Sequence, residues 1–360
     1  RGAGDLLAPI AAGQNEITED EHVKFNKECE IMKKLLTGTV TALSMAASAA
    51  FAADEVTLQL KWVTQAQFAG YYVALDQGFY EEEGLDVTIL PGGPDIAPTQ
   101  VLAGGGADVT VEWMPAALAA REKGLPMVNI AQPFKSSGMM LTCWKDTGIA
   151  APGDLANRTL GVWFFGNEFP FMSWMSQLGI STDGKGESGV EVLKQGFNVD
   201  PLLQRQADCI STMTYNEYWQ VIDAGVSSDE LITFKYQDQG VATMEDGLYV
   251  LEENLSDAAF SDKMVRFVRA SMKGWKWAEE NPGDAAMIVL DNDQTGAQTE
   301  KHQKRMMGEI AKLTAGSNGT LDPADYERTV STLLAGGSDP VITKAPEGAW
   351  THAITDAALN

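Results

Sequence analysis

The sequence predicts an α/β protein of two lobes, each built on a mostly parallel sheet flanked by helices. Three observations lead to this prediction. Short apolar strands alternate with helical segments from Val56 onwards, with glycine-bearing turns between them. A second series of the same kind follows residues 139–144, and residues 247–251 resemble a strand that returns to the first sheet. Repeated βα units favour open parallel sheets, and the return strand predicts a two-strand hinge.

The first lobe is predicted from residues 53–142 together with residues 245–360. Residues 56–62 alternate as a half-buried strand, and residues 69–77 have the apolar spacing of a helix that ends at Gly78. The further elements expected in this lobe are strands at 85–90, 107–111 and 127–131 and helices at 99–103, 116–123, 262–279, 299–312 and 324–334.

The second lobe is predicted from residues 143–244. Its expected elements are strands at 159–164, 189–195, 208–214 and 231–236 and helices at 169–177, 201–206 and 217–223. In open sheets of this kind, ligands bind outside the carboxyl ends of the strands. We therefore expect a ligand between the two lobes, where these strand ends face each other.

The amino-terminal region has the pattern of an export signal. A short basic stretch at residues 32–34 precedes an uncharged, largely apolar run, and Ala50-Phe51-Ala52 supplies a small-x-small cleavage site. This pattern predicts a signal peptide over residues 32–52 and a periplasmic protein that begins at Ala53. Residues 1–31 are expected to be a mistranslated leader upstream of the true start. The alternative is a cytoplasmic extension with an uncleaved anchor.

The charge of the chain excludes several kinds of partner. The sequence has 26 basic and 50 acidic side chains, for a net charge of −24. Nucleic acids and anionic lipids need a cationic surface, so we expect neither as a partner. No segment after the signal approaches the length of a transmembrane helix, so stable membrane insertion is not expected either. We expect a monomer.

Cysteine and histidine are scarce after the predicted cleavage site. Cys143 and Cys209 remain, and neither lies near a histidine at metal-ligand spacing. An oxidising compartment permits a bridge between them, but two buried free thiols are the favoured expectation. His302 and His352 are the two remaining histidines, which weakens hydrolase and metal-site hypotheses. We therefore expect no catalytic residue, no metal ligand and no cofactor.

Aromatic and amide side chains are concentrated at the predicted strand ends. Trp62 is expected to end the first strand, and Glu112 and Trp113 the third. The second lobe contributes two loops, one with Trp163, Phe165, Asn167 and Glu168 and the other with Tyr215, Asn216 and Glu217. Aromatic faces stack on flat rings, while amides and carboxylates pair with ring edges. A flat, neutral or weakly cationic heterocycle suits this set, whereas nitrate or sulfonate would want cationic donors, which these loops lack.

Each of these residues also has a structural explanation. Trp62 and Trp113 are equally compatible with core positions, and a core position is favoured for Trp163, since strand alternation can point its ring away from the site. Glu217 is also compatible with a first-turn acid that stabilises the following helix. Asn216 is compatible with an N-cap of the same helix.

Six short segments resemble one family of transport proteins. They are residues 67–71 (QFAGY), 74–80 (ALDQGFY), 83–87 (EGLDV), 91–93 (PGG), 106–108 (GAD) and 214–219 (TYNEYW). They resemble ABC-transporter substrate-binding proteins of the group that includes thiamine-pyrimidine-binding proteins and yeast pyrimidine synthase. The resemblance covers residues 55–360. It implies a type II periplasmic binding protein fold and adds Gln67 and Tyr71 to the expected ligand-binding set.

The resemblance implies an extracytoplasmic protein that captures a thiamine-pyrimidine-like heterocycle and delivers it to an ABC permease and its ATPase. Riboflavin, nitrate and sulfonates are the solutes of neighbouring groups. A periplasmic sensor that binds the same ligand but docks to a receptor is another possibility. A further alternative is an enzyme like the yeast synthase, which the resemblance says uses a pyridoxal cofactor, an active-site histidine and a cysteine-rich iron motif. After the predicted cleavage site, no histidine precedes His302 and no cysteine cluster exists.

Overall fold

The structure, a computed structural model, describes residues 53–184, 186–335 and 340–359. The leader and signal peptide predicted for residues 1–52 lie outside these residues. No helix in the described part is both long and apolar enough to cross a bilayer. Two five-stranded sheets organise this part of the chain, and the parts built on them are named lobe 1 and lobe 2.

Ten strands form the two sheets. They are β1 (Asp54–Gln59), β2 (Leu85–Leu90), β3 (Val109–Glu112), β4 (Met127–Ala131), β5 (Met139–Trp144), β6 (Thr159–Val162), β7 (Glu191–Lys194), β8 (Cys209–Met213), β9 (Leu231–Lys235) and β10 (Gly247–Leu251). The order is β2-β1-β3-β10-β4 in lobe 1 and β7-β6-β8-β5-β9 in lobe 2. Four strands of each sheet point the same way, and β10 or β5 runs against them. The predicted fold class is confirmed.

Twelve α-helices lie within the described residues. They are α1 (Ala69–Asp76), α2 (Phe79–Glu82), α3 (Pro98–Ala103), α4 (Met114–Glu122), α5 (Phe169–Gln177), α6 (Asp200–Leu203), α7 (Glu217–Asp223), α8 (Ala258–Glu280), α9 (Pro282–Asn292), α10 (Glu300–Thr314), α11 (Pro323–Leu334) and α12 (Ala353–Leu359). Helices α2, α9 and α12 were not expected from the sequence. Helix α9 begins at Pro282 directly after α8, because proline fits the first turn of a new helix but not the interior of the preceding one.

Burial along the strands follows their position in the sheet. Edge strand β2 buries Leu85 and Val87 and exposes Asp86 and Thr88, which is the alternation of a half-covered strand. All four residues of central strand β3 are buried, as expected for a strand covered on both faces. The first strand ends earlier than predicted, at Gln59, so Trp62 lies three residues beyond it.

The chain crosses between the lobes at residues 132–138 and 236–246. Neither crossing carries a strand of its own. Glu245 joins them, because its buried carboxylate accepts the backbone N–H groups of Gly138 and Met139 and the hydroxyl of Ser137. The predicted start of lobe 2 at residue 143 falls inside β5, whose residues all pair within the second sheet. The lobe boundaries remain a prediction.

Cys143 and Cys209 form a disulfide, so the expectation of two free thiols is wrong. The two residues lie directly opposite each other on the antiparallel strands β5 and β8. Directly opposed side chains on one face of such a pair are close neighbours. The sequence predicts the strand of each cysteine. Their pairing depends on the register between β5 and β8, because the two cysteines are 66 residues apart in the chain.

Candidate functional site

A cavity of about 810 Å³ lies between the carboxyl ends of strands from both sheets. Eleven of the twelve predicted ligand-binding residues line it. They are Trp62, Gln67, Glu112, Trp113, Trp163, Phe165, Asn167, Glu168, Tyr215, Asn216 and Glu217. The volume lies in the usual range for small-molecule sites. Whether these side chains bind a ligand remains a prediction.

Tyr71 does not line the cavity, contrary to expectation. It lies in α1 and is completely buried against α8, with its ring edge-on to Trp275 at a centroid distance of 5.6 Å. Close approach of the two helices explains this position, because a Cβ on Gly274 would collide with the Gly70 carbonyl oxygen and a Cβ on Gly70 would collide with the Trp275 ring. Tyr71 is therefore a core residue of lobe 1.

The lobe 1 wall is held in place by Asp246, which the sequence analysis missed. Its carboxylate accepts the indole N–H of Trp113 at 3.1 Å and the side-chain amide of Gln67 at 2.7 Å. Gln67 in turn accepts an amide N–H from Gln65. Asp246 has a backbone φ of +45°, in the left-handed region that is uncommon outside glycine. All four side chains are buried and joined by these hydrogen bonds, so this part of the wall has a fixed conformation.

Lys61 brings a cation to the cavity, contrary to the expectation that these loops have none. Its Nζ lies 2.7 Å from Glu112 Oε1 and 5.0 Å from the ring centroid of Trp113. Glu112 also accepts the backbone N–H of Trp113. The charge of Lys61 is therefore already matched by a buried carboxylate, and Lys123 is a second cation in the cavity lining.

Trp62 lies at the mouth of the cavity and contacts the opposite lobe. Its ring centroid is 4.3 Å from that of Phe197, which follows β7. The turn at residues 91–93 supports Trp62 from behind, because the N–H of Gly92 donates to the Trp62 carbonyl at 2.8 Å. A Cβ on Gly92 would lie 2.5 Å from the carbonyl oxygen of Leu60, so glycine is required for this close approach.

The loop at residues 163–168 forms one part of the lobe 2 wall. Trp163 is buried and donates its indole N–H to the Gly196 carbonyl. Phe165 is 71% exposed, with φ +65°, and Gly166 follows at φ +96°. Asn167 donates to the Phe164 carbonyl and Glu168 accepts the Gly166 N–H, so both polar side chains brace the loop. The loop presents an exposed aromatic ring in a conformation that a non-glycine residue rarely adopts.

The second part of this wall contains Tyr215, Asn216 and Glu217. Glu217 accepts the backbone N–H of Met213 and the side-chain amide of Asn216 at 2.7 Å. The Asn216 side chain makes no capping hydrogen bond to α7, so the N-cap explanation is wrong for its side chain. Its Oδ1 instead accepts the side-chain amide of Gln220 and lies 2.8 Å from Nε2 of His302.

Burial raises the pKa of several carboxyl groups around the cavity. The pKa of Glu217 and that of Asp246 rise to about 7, in both cases chiefly through loss of solvent. Burial also raises the pKa of Glu168, which lies in the 163–168 loop of lobe 2. Because Glu217 lines the cavity and its pKa is about 7, its carboxyl group can accept a hydrogen bond or, when protonated, donate one there near neutral pH.

Several cavity residues were missed by the sequence analysis, among them Lys61, Gln65, Phe197 and the segment 93–100. Phe197 follows the strand predicted at 189–195. The rule that ligands bind outside the carboxyl ends of strands could therefore have identified it. Asp246 does not line the cavity itself. It lies at the amino end of β10, which runs against its neighbours and so meets the carboxyl ends of the others. Only the direction of β10 reveals this.

Comparisons with known proteins agree with this architecture. The chain is 24% identical to a formylaminopyrimidine-binding protein of Halalkalibacterium halodurans over 79% of this chain and 86% of the relative. A 4-amino-5-hydroxymethyl-2-methylpyrimidine phosphate synthase of Legionella pneumophila is 26% identical but matches 48% of this chain and 49% of its own length. The periplasmic aliphatic sulphonate binding protein of Escherichia coli has the same fold (TM-score 0.60, 12% identity, 82% of this chain and 90% of that chain).

The family model described as NMT1/THI5 like matches residues 65–285. This range begins just before Gln67 and includes both crossings between the lobes and the cavity lining except Lys61 and Trp62. It also contains the Thr214–Trp219 segment, on which the resemblance to the pyrimidine-binding branch chiefly depends. The chain belongs to the NMT1/THI5-like family.

Proposed function

We propose that this protein is the extracytoplasmic solute-binding component of an ABC importer. It captures a small aromatic heterocycle between its lobes and delivers it to a permease and its ATPase. The observation that carries the proposal is the composition of the cavity, whose two walls each combine buried tryptophan with amide and carboxylate groups. Flat rings with N–H, amino and carbonyl edges match such walls.

The proposed solute class is an aminopyrimidine related to the thiamine precursor. The formylaminopyrimidine-binding relative matches most of this chain, which supports this class over the other solutes. Nitrate and sulfonates are less suitable between the tryptophans, because Lys61, the cation beside Trp113, already pairs with Glu112, and Lys123 is the other lysine of the lining. Predicted export of the chain and the fold of periplasmic binding proteins support a site of action outside the cytoplasm.

We propose binding rather than catalysis. The synthase relative from Legionella pneumophila matches only about half of this chain, whereas the binding protein matches 79% of it. Cys143 and Cys209 are joined to each other in the core of lobe 2, away from the cavity lining. Of the two described histidines, His352 bonds to the Leu321 carbonyl and His302 contacts Asn216 from outside the cavity lining.

A thermal-shift screen tests the proposed function. The panel contains 4-amino-5-hydroxymethyl-2-methylpyrimidine, its formylamino analogue, riboflavin, nitrate and taurine. A ligand that binds only the folded protein stabilises it by about 2.7 kcal/mol at a hundredfold excess over its dissociation constant. We expect the pyrimidines to raise the melting temperature and to quench tryptophan fluorescence. A response to nitrate or taurine with none to any ring would refute the proposal.

A further inference from the structure

A contact outside the cavity joins the two lobes through helices α10 and α7. Asp223 at the end of α7 accepts hydrogen bonds from Lys301 at 2.8 Å and from Arg305 at 3.0 Å. The Arg305 guanidinium also lies 4.6 Å from the ring centroid of Trp219. Helix α10 packs on α8 and α9 of lobe 1, whereas α7 follows strand β8 of lobe 2. The contact therefore spans the lobes.

The charges in this contact are unfavourable within their own helices. Lys301 lies in the first turn of α10, next to the positive end of the helix dipole. Asp223 is the last residue of α7 and lies next to the negative end of that helix. Neither charge stabilises the helix that carries it, so local helix stability does not explain either residue. The ion pairs between the two helices explain both residues. Hydrogen bonds from Lys301 and Arg305 lower the pKa of Asp223.

His302 extends this contact to the cavity. Its Nε2 lies 2.8 Å from Oδ1 of Asn216, and the Asn216 amide donates to Glu217 at 2.7 Å. With Nε2 as the donor, the histidine holds the carbonyl end of Asn216 towards α10 and its amide end towards Glu217. A residue of lobe 1 thus sets the orientation of an amide in the lobe 2 wall.

We propose that Lys301, His302 and Arg305 form an interlobe latch that holds the cavity closed and positions Asn216 for solute binding. The proposal rests on the proposed solute-binding function. The apparent dissociation constant of a site that exists only in the closed form rises as the closed fraction falls. Residues of the latch thus set the affinity of a cavity whose lining does not include them.

Small-angle X-ray scattering of the ligand-free protein tests the closing role. Asp223→Asn removes the acceptor charge of both ion pairs without touching the cavity lining. Asp146→Asn is the matched control, because Asp146 pairs with Arg205 inside lobe 2 and the change of charge is the same. We expect a larger radius of gyration for Asp223→Asn and an unchanged one for the control. Equal values for wild type and both variants overturn the latch.

Calorimetry with 4-amino-5-hydroxymethyl-2-methylpyrimidine tests the positioning role. We expect Asp223→Asn and His302→Ala to raise the dissociation constant three- to tenfold, and His302→Gln, which keeps an N–H donor, to restore most of the loss. Wild-type affinity in His302→Ala overturns the positioning of Asn216. If the pyrimidine does not bind wild type, the solute assignment fails while the scattering experiment still decides the latch.

Discussion

The two walls of the cavity differ in how firmly they are held. In lobe 1, Trp113 and Gln67 are buried, and both donate to the carboxylate of Asp246. In lobe 2, Phe165 is 71% exposed and Phe197 is 40% exposed, and Phe165 has a positive φ. The lobe 1 wall is therefore ordered before any ligand arrives. Trp163 and Tyr215 of lobe 2 are already buried, but Phe165 and Phe197 gain most of their burial only when a ligand or the opposite lobe covers them.

This difference suggests a division of tasks between the walls. A fixed wall lowers the entropy cost of binding, because its donors need no reorganisation. An exposed ring on a strained loop can settle on the second face of a bound heterocycle as the lobes close.

Replacing one aromatic residue in each wall should distinguish the rigid lobe 1 wall from the exposed ring of lobe 2. We expect Trp113→Ala to reduce the free energy of unfolding by about 3–5 kcal/mol, since a large buried side chain is lost. Phe165→Ala should change it by no more than about 0.5 kcal/mol, because the ring is exposed. Urea unfolding measures both values, and both variants should bind pyrimidine more weakly. Similar destabilisation by the two substitutions would contradict the difference between the walls.

The disulfide supports the sheet on which the lobe 2 loops stand. Strand β8 carries Cys209 and leads into Asn216 and Glu217, so loosening it should disturb this wall. We expect the double change Cys143→Ala and Cys209→Ala to lower the free energy of unfolding by about 2–4 kcal/mol. Chemical unfolding with and without a reductant measures this effect. A reductant should weaken wild type and leave the double variant unaffected.

Adjacent glycines in lobe 1 provide a matched pair. An alanine at Gly92 would collide with the Leu60 carbonyl and displace the turn that supports Trp62, whereas a Cβ on Gly93 meets no atom within 4 Å. We expect Gly92→Ala to cost about 1–3 kcal/mol of stability and to shift the tryptophan emission. Gly93→Ala should remain within about 0.5 kcal/mol of wild type. Equal effects at the two positions would show that the turn tolerates a side chain at either glycine.

Stability should also decrease as the pH rises from about 4.5, where such carboxyl groups ionise in the unfolded chain, to about pH 8, including the interval between about pH 6.5 and pH 8. Burial raises the pKa of Glu245 to about 8 and that of Glu217 and Asp246 to about 7. The folded protein therefore holds more protons than the unfolded chain in this interval, and unfolding releases them. We expect a loss on the order of 1 kcal/mol, measured by urea unfolding at several pH values. Glu245→Gln should flatten this dependence, and a rise in stability with pH would contradict the proposed burial of these acids.

The sequence predicted the layered fold and most of the cavity because both depend on local patterns. Strand ends marked by Trp113, Trp163 and Tyr215 converge once the sheets are parallel. Residues whose positions depend on pairing between distant parts of the chain could not be predicted from local patterns. Tyr71 shares a motif with Gln67, yet it faces α8 because two glycines let the helices approach. Asp246 depends on the reversed direction of β10, and the disulfide depends on the register between β5 and β8.

The most direct test of ligand capture between the lobes is calorimetric titration of 4-amino-5-hydroxymethyl-2-methylpyrimidine into wild type, Trp62→Ala and Glu217→Ala. Trp62 belongs to lobe 1 and Glu217 to lobe 2, and both line the cavity. We expect saturable one-to-one binding to wild type and at least tenfold weaker binding to each variant, with both variants still folded. Unchanged affinity in both variants would contradict a binding site between the lobes.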